Sequence, residues 1–216
     1  MIVLAIDTAL ETCSAALLDG AAVLAARSEP MARGHQERLA PLVAELMAEA
    51  GVGFDRLDRI GVTVGPGSFT GLRVGLAFAK GLGVALDRPV VGVGTLEALA
   101  TETTGFAAAV IDARRDQVYV QAFRDGAPVS APQALGLADA AALLIDIDPA
   151  GPQQLTGSGA ALLASAFPNA RSDDRRGADP VALARLAVKA SPDDAPPRPV
   201  YLRAPDAKLP ASALSA

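Results

Sequence analysis

The sequence predicts an α/β fold of two subdomains with mixed sheets, the second a duplicate of the first. Three observations predict it. Short apolar runs bounded by Asp, Gly and Pro alternate with stretches of helical periodicity. The opening run at 2–6 ends in Asp7, and the run at 108–111 ends in Asp112. Each is followed by a further apolar run and an Asp-Gly pair, Asp19-Gly20 and Asp125-Gly126, at almost the same spacing. Such self-similarity reads as an internal repeat; the competing reading is a chance likeness between two hairpins. The boundary falls at 101–105. Residues 1–103 then form an N-terminal subdomain, 104–206 a C-terminal one, and 207–216 a flexible tail.

The elements follow in order. Residues 2–6 are continuously apolar, as a central strand buried on both faces requires. Glu11 and Thr12 mark a turn, 13–18 a second strand, and Asp19-Gly20 a hairpin into a third strand at 21–28. Leu39, Leu42, Val43, Leu46, Met47 and Ala50 keep helical spacing after Gly34-His35, and Gly51 stops that helix. Pro41 is placed near its first turn, where proline is tolerated. A strand at 60–64 enters Gly65-Pro66-Gly67-Ser68, after which Thr70 caps a helix to about Leu86. A fifth strand lies at 89–93, and Thr95 caps a further helix.

In the second half, strands at 108–112 and 118–123 repeat the opening hairpin, with Asp116 standing where Glu11 stood. Leu155-Thr156-Gly157-Ser158-Gly159 is a shorter version of Val64-Gly65-Pro66-Gly67-Ser68. Asp179 before Pro180 caps a helix to Ala190. Residues 191–199 are proline-rich and extended, 199–203 rejoin the fold, and 208–216 fray.

The glycine turn carries the main chemical question. Strand, glycine turn and helix start together present backbone N–H groups to an anion, so a phosphate cradle is one reading. Asp7, Gly65, Gly67 and Ser68 are its candidate residues, with Asp112 as the duplicate of Asp7. The known motifs do not fit: no lysine follows Gly71 until Lys80, Thr70 stands where a dinucleotide fingerprint needs glycine, and Gly67-Ser68-Phe69 is no nucleophile elbow. The other reading is a tight connection that packs a helix onto a sheet, with Asp7 and Asp112 as turn residues. No complete catalytic, cofactor or metal site is legible.

The following helix has Gly71, Gly75, Ala79 and Gly83 at four-residue intervals, a stripe of small residues on one face. Glycine inside a helix costs roughly 1 kcal/mol against alanine, so close approach of another helix is expected in return. The expected interface comprises Leu39, Leu42, Val43, Leu46 and Met47 on the first helix, and Gly71, Leu72, Gly75, Ala79 and Gly83 on the second. The alternative is that the stripe lies on this chain's own sheet.

Composition excludes several classes. The chain has 216 residues and is 51% hydrophobic but only 4% aromatic, so Ala, Val and Leu must fill its core. A net charge of −5 opposes direct, tight binding of nucleic acid. The lone cysteine, Cys13, excludes an internal disulfide and fits a reducing cytoplasm. The single histidine, His35, excludes a His-rich metal site. Arg73 and Lys80 interrupt the one long apolar helix, so no membrane association is expected.

Several stretches resemble the TsaB family, also called YeaZ. They are Ile6-Asp7-Thr8 with Thr12-Cys13-Ser14-Ala15-Ala16, Gly34-His35-Gln36-Glu37-Arg38-Leu39, Ile111-Asp112-Ala113-Arg114 and Tyr201-Leu202-Arg203. Above all it is Gly65-Pro66-Gly67-Ser68-Phe69-Thr70-Gly71-Leu72-Arg73. The resemblance covers nearly the whole chain and is weakest after Pro168. It implies the duplicated actin-like, sugar-kinase-like and Hsp70-like (ribonuclease H-like) fold. It also implies a non-catalytic role in adding threonylcarbamoyl to adenosine 37 of tRNAs that read codons beginning with A. The implied partners are a TsaD-like catalytic paralogue and a TsaE-like ATPase; ATP, ADP and metal belong to those subunits, and tRNA is met only through the complex. Alone, the chain is expected to form a homodimer. The catalytic paralogues hold a metal with two histidines one helical turn apart. Here His35 is followed by Leu39, so that site cannot be built.

Three functions follow as expectations. The first is a dimerisation subunit that activates a paralogous transferase. The second is an independent nucleotide-dependent phosphotransferase or ATPase of the same fold. The third is a peptidase, for which no metal set or nucleophile is legible.

Overall fold

The computed structural model describes residues 1–203. The expected tail at 207–216 and the end of the second subdomain lie outside the described residues. The first half runs β1 (Ile2–Asp7), β2 (Thr12–Asp19), β3 (Ala22–Pro30), α1 (His35–Ala50), a short 3-10 turn (Phe54–Arg56), β4 (Arg59–Gly65), α2 (Phe69–Leu86), β5 (Val90–Gly94) and α3 (Thr95–Ala100). The second runs β6 (Phe106–Arg114), β7 (Gln117–Arg124), β8 (Ala127–Pro128), β9 (Gln133–Gly136), α4 (Leu137–Ile147), β10 (Gln154–Thr156), α5 (Ala160–Leu163), β11 (Arg171–Asp173) and α6 (Pro180–Lys189).

The two sheets have one topology. The first is ordered β3-β2-β1-β4-β5, and the second β11-β10-β6-β7-β8 with β9 also on β7. In each, the leading strand pairs antiparallel with the next strand and parallel with the strand that follows the helices: β1 with β2 and β4, β6 with β7 and β10. Asp7 and Asp112 sit at the same end of the corresponding strands β1 and β6. Duplication therefore shows in strand order and direction, beyond the two hairpins.

Continuous apolar sequence makes β1 a two-sided core strand. Leu4 and Ile6 meet α1 and α2, while Val3 and Ala5 face the other way. That other face is covered by α6: Leu183, Ala184 and Ala187 pack on Val3, Ala5, Ala16, Leu18, Val91 and Val93. Arg59 fastens the end of α6, its Nη1 donating to the carbonyls of Ala187, Val188 and Ala190 at 2.9, 3.0 and 2.6 Å. In return, Leu96, Leu99 and Ala100 of α3 pack on Ala109, Ile111 and Phe123 of the second sheet.

Each half thus lends its last helix to the other. Along the chain the two sheets still divide between Ala100 and Phe106, but the helices cross that division. By packing, α3 covers the second sheet, and the chain from Ala178 onward returns to the first. A helix's apolar face does not encode which sheet it covers.

Three local expectations also change. Ser68, not Thr70, caps α2, its Oγ accepting from Gly71 N at 3.3 Å. Thr95 is the first residue of α3 and is buried, with Gly94 at the cap position making no side-chain bond. Pro41 lies inside α1 rather than in its first turn. Gly51 and Asp179 cap as expected, the latter accepting from Val181 N and Ala182 N at 2.7 and 2.9 Å.

Candidate functional site

The molecule has two concave surfaces of note, a cleft between the halves and the outer face of α1 and α2. The cleft has a volume of about 1100 Å³. Its walls are the β1–β2 turn, the start of α1, the turn into α2, the end of β6 and residues 200–203.

The glycine turn is built to press on the β1–β2 turn. A Cβ at Gly67 would run into the Ala9 carbonyl, and one at Gly71 into the Thr8 carbonyl. Ser68 N donates to Ala9 O at 2.7 Å, and Thr8 Oγ1 donates to Gly71 O at 2.8 Å. With Gly71 N already given to Ser68 Oγ, two of the amides that a phosphate would need are engaged by the chain itself. The turn is thus tied to the β1–β2 turn through its own backbone.

Of the candidate residues, Gly67, Ser68 and Asp112 line the cleft, whereas Asp7 and Gly65 do not. Asp7 is wholly buried; its Oδ1 accepts from Ala9 N at 2.8 Å and Thr63 Oγ1 at 2.7 Å. Burial raises its pKa above the ordinary aspartate value. The hydrogen bonds from Ala9, Thr63 and the Ala178 backbone, and the nearby His35, act the other way. Asp7 is thus a turn-forming acid held off the cleft surface.

Ion pairs span the cleft where the two leading hairpins meet. Arg176 reaches Glu11 at 2.8 Å; Arg114 pairs with Asp112 at 3.1 Å and lies 3.9 Å from Glu11. Arg114, Arg115 and Asp116 turn with φ of +64°, +57° and +57°. His35 Nε2 lies 3.2 Å from Thr12 O. Cys13 is buried, and burial pushes its thiol up to about 11, which removes it as a nucleophile. Among the described residues no three His, Cys, Asp or Glu side chains gather as metal ligands.

On the helices, the ten expected interface residues prove to be core. Leu39, Leu42, Val43, Leu46, Met47, Gly71, Leu72, Gly75, Ala79 and Gly83 are all buried within this chain. The small stripe meets the chain's own sheet: a Cβ at Gly75 would lie 2.6 Å from Thr8 Oγ1, and one at Gly83 would strike Val90. α2 is long and apolar enough to span a membrane by length and composition, but its glycine face is occupied by β1, β4 and β5 of its own sheet.

What the two helices leave outward is a different set. Gln36, Ala40, Phe69, Thr70, Arg73 and Ala77 are exposed around a groove of about 590 Å³, with Val74 and Phe78 half-buried and Leu39 at its floor. These residues could have been found by taking the positions between the small ones, one step round the helix.

The chain is similar to known proteins along its length. The family model TsaD: tRNA N6-adenosine threonylcarbamoyltransferase matches residues 28–168. An uncharacterised protein of Mycobacterium tuberculosis is 38% identical over 208 residues, 95% of this chain and 93% of that protein. The tRNA threonylcarbamoyladenosine biosynthesis protein TsaB of Escherichia coli is 37% identical over 124 residues, 55% of this chain and 53% of its own length. The matched part thus spans about half the length of the TsaB relatives.

YeaZ of Pseudomonas aeruginosa superimposes with a TM-score of 0.75 at 29% identity, over 93% of this chain and 99% of that one. A ROK hexokinase from Thermus thermophilus, at TM-score 0.51 and 17% identity over 88% and 99% of the two chains, shares the fold alone. The duplicated topology is accordingly that of the actin-like and sugar-kinase folds, and the chain belongs to the TsaB (YeaZ) family, whose named members are tRNA threonylcarbamoyladenosine biosynthesis proteins.

Proposed function

We propose that this chain is a non-catalytic subunit that pairs with a TsaD-like catalytic paralogue and activates it. The reaction served is transfer of threonylcarbamoyl to adenosine 37 of tRNAs reading codons that begin with A. One observation carries the non-catalytic reading: the sequence has a single histidine, His35, and the position one helical turn on is Leu39, buried in the core. The residues present do not fit the paired-histidine metal site of the catalytic subunits, so no step is routed through a metal here. The engaged amides at the start of α2 likewise favour a structural turn over a nucleotide cradle. ATP, ADP and metal belong to the partners, a TsaE-like ATPase among them, and tRNA is met through the assembled complex.

Docking uses the outward groove of α1 and α2. It is apolar, lies on two helices, and is the face that a paralogue of the same fold could match with its own helix pair. The experiment is co-purification with the catalytic paralogue, followed by tRNA modification assays with each subunit alone and together. Activity is expected only with the catalytic subunit present and to rise when this chain is added. Modification of tRNA by this chain alone, given the threonylcarbamoyl donor, would overturn the reading.

A further inference from the structure

On the rim of the α1–α2 groove, the Arg73 guanidinium sits over the Phe69 ring, its Cζ 3.6 Å from the ring centroid. Its Nε points to Tyr201 Oη at 3.5 Å, and Tyr201 in turn leans on Phe69 with ring centroids 5.4 Å apart. Neither Nη group has an acceptor among the described residues. Stacking on a ring fixes the plane of a guanidinium without consuming its donors. Arg73 therefore presents a planar, pre-oriented pair of N–H groups beside an apolar groove.

We propose that Arg73 is a receptor for a carboxylate on the docking helix of the partner. This rests on the reading of the groove as a partner site. A guanidinium fork matches a carboxylate in two parallel hydrogen bonds, and prior orientation lowers the entropy lost on binding. Lys80 lies on the same stripe of α2, seven residues on, and also lacks a carboxylate partner among the described residues.

From 69 to 86 the sequence has no Asp or Glu. A contact of α2 on α2 of a second copy would set cation against cation, so a carboxylate for Arg73 must come from a helix other than α2. A nucleic-acid backbone fits less well. A phosphate track needs several cations in a row, whereas this groove is lined by Phe69, Val74, Ala77 and Phe78.

The test measures affinity between the full chain and the TsaD-like paralogue encoded in the same genome, by calorimetry at low and high salt. Arg73→Gln is expected to weaken binding roughly 30-fold or more and to flatten its salt dependence. Arg73→Lys should recover only part of the loss, because it keeps the charge but not the stacked fork. Arg73 is exposed, so both variants should melt at the wild-type temperature.

Wild-type binding with Arg73→Gln within threefold overturns the carboxylate receptor and leaves the partner reading intact. So does a loss that is equal at both salt concentrations, which would mark packing alone. Unchanged subunit affinity with weaker tRNA retention by the complex overturns it in favour of a phosphate contact. Failure of the wild-type chain to bind the paralogue removes both proposals.

Discussion

Gly65 and Gly157 hold the same backbone angle, φ +113° and +112°, one in each half of the chain. Gly65 ends β4, which lies parallel to β1, and Gly157 directly follows β10, which lies parallel to β6; each precedes a serine. Neither angle suits an L side chain. A Cβ at Gly65 would sit 2.8 Å from Val200 O, and one at Gly157 would strike the Val110 carbonyl. Alanine at either site is expected to cost about 1–3 kcal/mol, read as a fall in the urea midpoint. The sites lie in different halves, so the double variant should lose close to the sum. A neutral Gly157→Ala would dissociate the two corners and weaken the account of them as copies.

Substituting the small stripe tests where it packs. Gly75→Leu places bulk against Thr8 Oγ1 and Val62. The expected result is loss of about 3 kcal/mol or more of stability, visible in thermal melting, rather than a folded monomer that fails to pair. A well-folded Gly75→Leu chain with weakened partner binding would return the stripe to an interface role.

Much of this was legible in the residues. Strands such as 2–6 declare themselves because a run buried on both faces has nothing but apolar residues, and Asp19-Gly20 and Asp125-Gly126 mark hairpins by backbone need. The capping choice between Ser68 and Thr70 was not legible, since both hydroxyls stand at the start of α2 and only the Thr8–Ala9 contact fixes where the helix begins. Short strands such as Arg171–Asp173 have neither alternation nor β-branched residues to reveal them. The small stripe signals a close approach, but spacing along one helix does not say what approaches, and here it is the chain's own sheet rather than another helix. The same holds for α6, whose apolar face fits either sheet until Arg59 and Val3 are seen to receive it.

Asp7 should leave a signature in the pH dependence of stability. Burial raises its folded pKa above the value of 3.8 that serves for the unfolded chain. The folded state then binds more protons than the unfolded state between the two values, so this group's contribution falls as pH rises through that window and is flat above it. Carboxyl-carbon NMR should show Asp7 titrating above the ordinary aspartate range. In Asp7→Asn the downward slope contributed by this site should vanish. An Asp7 that titrates at or below 3.8 would contradict the burial argument.

The chain's return to the first sheet ends in a strap across the cleft. Val200 N donates to Val64 O at 2.7 Å, Tyr201 rests on Phe69, and Arg203 Nη1 donates to Ala113 O at 2.9 Å in the other half. A charged donor to a carbonyl contributes about 1.5–3 kcal/mol, and here it joins the end of β6 to the segment lying on β4. Arg203→Ala should therefore loosen the strap without unfolding the sheets. Local opening governs exchange of an amide such as Val200, so its hydrogen exchange should quicken roughly tenfold or more. Amides of β2, which open only on global unfolding, should keep their rates. If Val200 exchanges as in the wild type, Val64 and Tyr201 hold the strap and Arg203 adds nothing to it. If the β2 amides quicken equally, the residue supports the whole fold rather than a tie between its halves.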